Sequence, residues 1–155
     1  MSLRIGVADL SPEGLSFSGE EQGDVLELAA QDEIQPGGPV SYALHACRVG
    51  NDLIVSGQVR TRVLCECRRC AASFPTEIAE EQFQLVEAIG EEGEEVDLTP
   101  FIRESILLRL PAHPVCRKDC KGLCPTCGAD LNKGSCGCKP DGEGWRGLSA
   151  LDELM

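Results

Sequence analysis

Ten cysteines, at positions 47, 65, 67, 70, 116, 120, 124, 127, 136 and 138, are the residues of this chain whose type and spacing could do chemistry. Four of them form Cys-x-x-Cys pairs, Cys67-Arg68-Arg69-Cys70 and Cys124-Pro125-Thr126-Cys127, the second followed directly by Gly128. At this spacing a tight turn aims two thiolates and several backbone N–H groups at one metal, and a glycine permits the backbone geometry. Cys136-Gly137-Cys138 offers two more ligands and completes a four-thiolate set of Cys124, Cys127, Cys136 and Cys138, although its one-residue gap is tighter than in the usual knuckle. Cys116 and Cys120 could meet Cys67 and Cys70 as a second set, stitching the C-terminal segment onto the strands before it. The alternative is one zinc drawn from Cys116, Cys120, Cys124, Cys127, Cys136 and Cys138. Zinc is the metal expected for such pairs of pairs. Cys47 and Cys65 are left over, in predicted strands where a thiol serves as a small buried apolar group.

Other uses of these thiols fit less well. Cys67 and Cys70 could form a redox dithiol, because adjacent arginines lower a thiol pKa. That motif normally opens a helix, whereas Ala71-Ala72-Ser73-Phe74-Pro75 reads as a turn into a strand, so a thiol-redox or metal-handling protein is the rival reading. No ferredoxin-type spacing fits the set. A disulfide framework requires export, and Met1-Ser2-Leu3-Arg4-Ile5-Gly6 opens no apolar stretch of signal-peptide length. No run approaches the roughly 18 apolar residues of a membrane span. The expectation is therefore a cytoplasmic protein with reduced, metal-binding cysteines and no membrane partner.

Catalytic constellations are missing. His45 and His113 are far apart, and no Gly-x-Ser-x-Gly, phosphate-loop or His-Glu-x-x-His motif occurs. His113, between Pro111 and Pro114, could replace a cysteine ligand, but a plain loop histidine is the simpler reading. A carboxylate cluster with a nearby His or Lys, as a nuclease needs, does not declare itself. A closed four-thiolate zinc has no open position for water and is structural. The sequence thus predicts a binding module, not an enzyme, with no small-molecule substrate evident.

The elements that must position these thiols are read from alternation and turn chemistry. Short strands are predicted at Leu3–Ala8 and Gly14–Phe17 around the turn Ser11-Pro12-Glu13-Gly14. Gln35-Pro36-Gly37-Gly38-Pro39 reads as a separator before Val40–Val49, where Val40, Tyr42, Leu44 and Ala46 share a face. Gly50-Asn51-Asp52 turns the chain into Leu53–Cys65, with Val55, Gly57, Val59, Thr61 and Val63 on one face. Phe74–Val86 is a third strand with Ile78, Phe83 and Leu85 inward. Residues 90–95 read as a charged, solvated loop. A helix follows at 98–110, capped by Thr99, with Pro100 at its first position and Pro111 as its stop. Residues 116–147, with six cysteines, seven glycines and few large apolar side chains, need a metal to fold. A short helix is predicted at 148–154. The fold class expected is α+β: an antiparallel β-sheet or partly open barrel over most of 1–88, one main helix, and a zinc-bound coil at 116–138. Residues 1–110 form the predicted core domain and 111–155 a zinc-binding segment packed on it.

Charge narrows the partners. The net charge of -12 argues against coating a polyanion with the whole surface. It is sorted along the chain: residues 60–76 carry net +3 and 98–139 net +4, while 1–59 carry -7, 77–97 carry -9 and 140–155 carry -3. Both basic stretches coincide with cysteine clusters. Arg60, Arg62, Arg68 and Arg69, with Arg117, Lys118, Lys121, Lys133 and Lys139, would make one positive face for RNA phosphates if the clusters share a metal. The bland alternative is that they only balance the charge of a four-thiolate zinc. One Trp, one Tyr and four Phe leave few platforms for base stacking. The acidic stretch 77–97 suits a basic partner protein.

The segment Leu108-Arg109-Leu110-Pro111, Cys116 to Cys120, Lys121-Gly122-Leu123-Cys124-Pro125-Thr126-Cys127-Gly128-Ala129-Asp130-Leu131-Asn132, and Cys136-Gly137-Cys138 resembles the cysteine-bearing branch of the YceD family, the large ribosomal RNA subunit accumulation proteins. Cys67-Arg68-Arg69-Cys70, the helix from Asp97 to Leu110 and the terminal Leu148–Leu154 fit in the same order. The resemblance is specific over 60–155 and weaker before. It implies a cytoplasmic bacterial protein that supports synthesis, processing or stability of 23S ribosomal RNA, with no known enzymatic activity; the charge pattern makes ribosomal RNA or a basic large-subunit ribosomal protein the expected partner. Some members lack most of the C-terminal cysteines, which implies that zinc there is a staple and not the seat of the shared function.

Overall fold

The computed structural model describes residues 3–11, 13–28, 33–90 and 95–138. The predicted helix at 148–154, Lys139 and most of the acidic loop lie outside them. The described residues form six strands and one α-helix: β1 (Arg4–Gly6), β2 (Leu15–Glu21), β3 (Ile34–Val49), β4 (Asp52–Glu66), β5 (Ser73–Ala88), β6 (Glu95–Asp97) and α1 (Thr99–Leu107). Strands β2-β3-β4-β5 form one antiparallel sheet in sequence order, and β1 pairs with β6 apart from it. The sheet is open and does not close into a barrel.

Alternation decides which face is buried. Val40, Leu44 and Ala46 of β3, Leu53, Val55, Val59 and Val63 of β4, and Ile78 and Phe83 of β5 turn to one side, where Leu98, Ile102 and Ile106 cover them. Each of the Val, Leu, Ile and Phe side chains contributes on the order of 1.5–3 kcal/mol when fully buried. Arg103 fastens the helix from the side, donating from Nε to the Leu26 carbonyl at 3.1 Å and pairing with Glu27. The opposite sheet face stays open and carries small or polar residues such as Ser16, Ser18, Ala43, His45 and Ser56.

Several expectations are corrected. Gln35–Pro39 does not separate two regions. It lies inside β3, because Pro36 still pairs opposite Val63 and the surplus residues are absorbed in a bulge before Val40. The strands approach closely there: a Cβ on Gly37 would stand 3.0 Å from the Val63 carbonyl carbon, tighter than ordinary contact. The helix ends at Leu107 and continues as turns to Leu110. Thr99 does not cap it; its Oγ1 accepts the Leu3 N–H at 2.8 Å, and the Asp97 carboxylate takes the Thr99 N–H at 2.9 Å. The first strand is shorter than Leu3–Ala8, since Val7–Asp9 coil into a 3-10 turn, and the second runs on to Glu21. Cys65 is buried in the core, but Cys47 sits on the open face, half-buried.

A second bulge sets up a polar contact inside the fold. Gly57 opposes Phe83 and Val59 opposes Glu80, so β5 carries one residue more than β4. The bulge frees the Gln82 N–H from the ladder, and Glu80 Oε1 accepts it at 2.8 Å. Arg109, just past the helix, closes on the other oxygen through Nε and Nη2. The Gln82 N–H, and then Arg109, hold the Glu80 carboxyl below the usual range. A depressed carboxyl pKa stabilises the fold above the unfolded value, near 4.3, and that stabilisation is lost as pH falls through the folded value. Glu80→Gln should therefore cost about 1 kcal/mol near neutrality, the pair being partly solvated. Urea unfolding across pH should show the difference from the parent protein shrinking below pH about 4; a difference independent of pH would remove Glu80 from the titrating set.

Candidate metal centres and the basic surface around them

Two turns of identical hydrogen bonding carry the Cys-x-x-Cys pairs. In the first, the Ala71 N–H donates to the Cys67 carbonyl at 2.8 Å and the Cys67 N–H to the Ala72 carbonyl at 2.9 Å. In the second, Gly128 donates to Cys124 and Cys124 to Ala129, both at 2.8 Å. The residue after each pair is left-handed, Ala71 at φ 56° and Gly128 at φ 73°. Glycine adopts this without penalty, whereas alanine pays about 1–2 kcal/mol. The first pair sits at the end of β4, where the chain turns into β5.

These turns bring eight thiols together in two groups, Cys67, Cys70, Cys116 and Cys120, and Cys124, Cys127, Cys136 and Cys138, with the sulfurs of each group all within 4.8 Å of one another. In the first, Cys67 and Cys120 are 3.9 Å apart and Cys70 and Cys116 3.8 Å. Four sulfurs placed tetrahedrally at about 2.3 Å from one ion stand about 3.8 Å apart. The donor set and spacing therefore fit a tetrahedral thiophilic ion. A single site drawn from the six C-terminal cysteines is not formed, since Cys116 and Cys120 join the strand-end pair. His113 is exposed in its loop and enters neither group. Cys47 and Cys65 also stay outside.

The sulfurs are prepared unequally for ionisation. The Cys116 N–H donates to Cys67 Sγ at 3.4 Å and is the chief cause holding that thiol down to about 6. The N–H groups of Cys127 and Thr126 hold Cys124 down to about 6. The Asn132 amide, at 3.4 Å, lowers Cys120. Burial and the neighbouring thiols push Cys116 up to about 12, and the neighbouring Cys127 thiol and burial push Cys138 up to about 12. Each group thus holds fewer than four negative charges until a cation displaces the remaining protons.

Backbone bonds tie the segment to the sheet. Arg68 N–H donates to the Pro114 carbonyl and Leu123 N–H to the Arg69 carbonyl, both at 2.9 Å. Arg69 also reaches the Cys120 carbonyl at 3.1 Å. Arg68 pairs with Glu33, Arg117 with Asp119 and Asn132, Lys133 with Asp130, and Arg60 with Glu81. Among the described residues Arg62, Lys118 and Lys121 form no ion pair and are exposed. Arg68, Arg69, Arg117, Lys118 and Lys121 surround the first thiol group, while β4 carries Arg60 and Arg62 away from it, Arg60 by roughly 20 Å from the strand end. Asn132 was not singled out by spacing; Asx turns give it a local signal, but its reach to Cys120 is set only by the folded segment.

A family model described as large ribosomal RNA subunit accumulation protein YceD matches residues 55–154. An uncharacterized protein of Mycobacterium tuberculosis (strain ATCC 25618 / H37Rv) is 32% identical, over 68% of this chain and 56% of its own length. Two relatives named large ribosomal RNA subunit accumulation protein YCED homolog 1, chloroplastic, are 28% identical in Zea mays and 27% identical in Arabidopsis thaliana. They align with 96% and 77% of this chain, and with 64% and 50% of their own lengths. The chain thus spans half to two thirds of these curated relatives. No solved structure matches it. No helix among the described residues is long and apolar enough to cross a membrane.

Proposed function

We propose, from the premise that this chain belongs to the YceD family of large ribosomal RNA subunit accumulation proteins, that it is a non-enzymatic accessory factor supporting synthesis, processing or stability of 23S ribosomal RNA in the cytoplasm. Zinc is the metal of both thiol groups, and its role is structural. Eight thiolates fill two tetrahedral shells, which leaves no position for water or substrate. The zinc holds a cationic surface in place: Arg68, Arg69, Arg117, Lys118 and Lys121 around the first group, extended along β4 by Arg60 and Arg62. RNA phosphates are its ligand. The observation that carries this reading is a set of exposed cations, Arg62, Lys118 and Lys121, whose side chains form neither an ion pair nor a hydrogen bond among the described residues, in a chain whose other charges sum strongly negative. Uncommitted cations can release counterions on binding, and these can do so without first breaking an internal pair.

Replacing Arg62, Lys118 and Lys121 together with alanine should weaken RNA binding and reduce the slope of log affinity against log salt by about 2–3. Mild crosslinking in cells, followed by identification of what comes with the protein, tests the assignment directly. Recovery of ribosomal RNA supports it; recovery of a basic large-subunit ribosomal protein alone would transfer the contact to the exposed Glu77 and Glu81 of β5, which favour a cationic partner. The redox alternative at Cys67 and Cys70 is separated by metal analysis with thiol titration. Tightly held zinc and unreactive thiols exclude it, whereas a reactive metal-free dithiol would establish it.

A further inference from the structure

We infer that Asn132 couples the two thiol groups, so that they load metal as one cooperative unit and not as two independent sites. This rests on the metal reading above and goes beyond it. Asn132 belongs to the loop between Cys127 and Cys136, and hence to the second group by chain position. Its side chain faces the first. Nδ2 donates to Cys120 Sγ at 3.4 Å, while Oδ1 accepts the Lys121 N–H and Arg117 Nη2, both at 2.9 Å. The residue is held at its own end as well: its N–H and Nδ2 both donate to Asp130 Oδ1, at 2.9 and 2.8 Å. The Leu131 N–H bonds the Gly122 carbonyl at 2.9 Å, and Leu123 bridges to Asp130. The loop that closes the second group thus ends in an amide supporting a ligand of the first.

The amide is suited to this place. A donor aimed at a thiolate steadies it against the charge of its neighbours, and such supporting bonds are worth 10–100-fold in metal affinity. Closing the second group around its ion fixes the loop from Cys124 to Cys138, and with it the position of Asn132. The ordering cost is then already met when the first group binds, which is positive coupling. By reciprocity, filling the first group favours the second by the same factor.

Cobalt(II), titrated into the full-length reduced, metal-free chain against a competing chelator, reads both groups by their thiolate charge-transfer bands. Cys124→Ser with Cys127→Ser leaves only the first group intact and should lower its cobalt affinity 10–100-fold relative to the parent chain. Asn132→Ala should lower it by a similar factor and shift its charge-transfer band to lower energy, because the sulfur loses a donor. Asn132→Asp keeps an acceptor for Lys121 and Arg117 but removes the donor, so it should reproduce the affinity loss while the loop remains folded. In a Cys67→Ser/Cys70→Ser background, Asn132→Ala should change second-group affinity less than about 3-fold, since the amide touches no ligand there. First-group affinity and band energy unchanged in all three variants would overturn the coupling while leaving the metal reading intact. Absence of cobalt binding by the parent chain would overturn the metal reading and the coupling together.

Discussion

Replacing Cys67 and Cys70 together with serine is expected to detach residues 111–138 while the four-stranded sheet stays folded. The first thiol group takes two sulfurs from the end of β4 and two from the segment beyond the helix, so the metal proposed there would link the two. Besides the Arg68, Arg69 and Leu123 hydrogen bonds across the junction, the segment is held by a satellite core of Cys67, Cys70 and Cys120 with Phe74, Val115 and Cys116 against it. Such a cluster contributes a few kcal/mol at most by burial, whereas a structural zinc supplies an apparent 10–16 kcal/mol. Hydrogen exchange should show the Arg68 and Leu123 amides, which bond across this junction, losing protection completely. Amides in β3, β4 and the middle of β5 should keep theirs. Cys124→Ser is expected to loosen only the part from Cys124 onward and to weaken the first group secondarily. Uniform destabilisation by either change would show that the segment and the sheet unfold as one unit.

Gly57→Ala is expected to be the most damaging single-methyl addition to the sheet, costing more than about 3 kcal/mol. Its φ of 152° is unfavourable for an L side chain, and an added Cβ would stand 2.1 Å from the Ala43 carbonyl oxygen and 2.9 Å from the Leu44 Cα. Backbone cannot move aside without breaking the β3–β4 ladder at the centre of the sheet. Gly50→Ala and Gly128→Ala are the controls: both positions have positive φ, at 65° and 73°, but open space around them. Each should cost about 1 kcal/mol from backbone strain alone. Denaturant midpoints of the three variants measure the contrast. Equal losses would mean that φ, and not the crowding between β3 and β4, sets the requirement at Gly57.

The parts of this architecture that were legible in the sequence are those with a period. Val40 to Ala46 and Val55 to Val63 alternate cleanly, and Gly50-Asn51 is a recognisable two-residue turn. The thiol groups were legible because paired cysteines at knuckle spacing have few other uses. Pro36 and Pro39 misdirected the boundary of β3, since proline and glycine mark turns more often than bulges. The pairing of Arg4–Gly6 with Glu95–Asp97 had no signature at all. Three residues are too few for alternation, and the partner lies most of the chain away. Thr99 was misread as a cap for the same reason: its hydroxyl is taken by Leu3, a distant backbone group that composition cannot reveal. Asn132 escaped notice because its role depends on a thiol brought to it by the fold.

That distant pairing has a kinetic consequence. Strands β2 to β5 are joined in sequence order, so each can pair with the one before it by local search. The contact of Leu3 with Thr99 spans 96 positions, and closing a loop of that length costs about 4 kcal/mol of chain entropy before any bond is gained. The meander is therefore expected to form first, and the Arg4–Gly6 strand to dock late, against Glu95–Asp97. A destabilising change in β1 should accelerate unfolding and leave the refolding rate nearly unchanged.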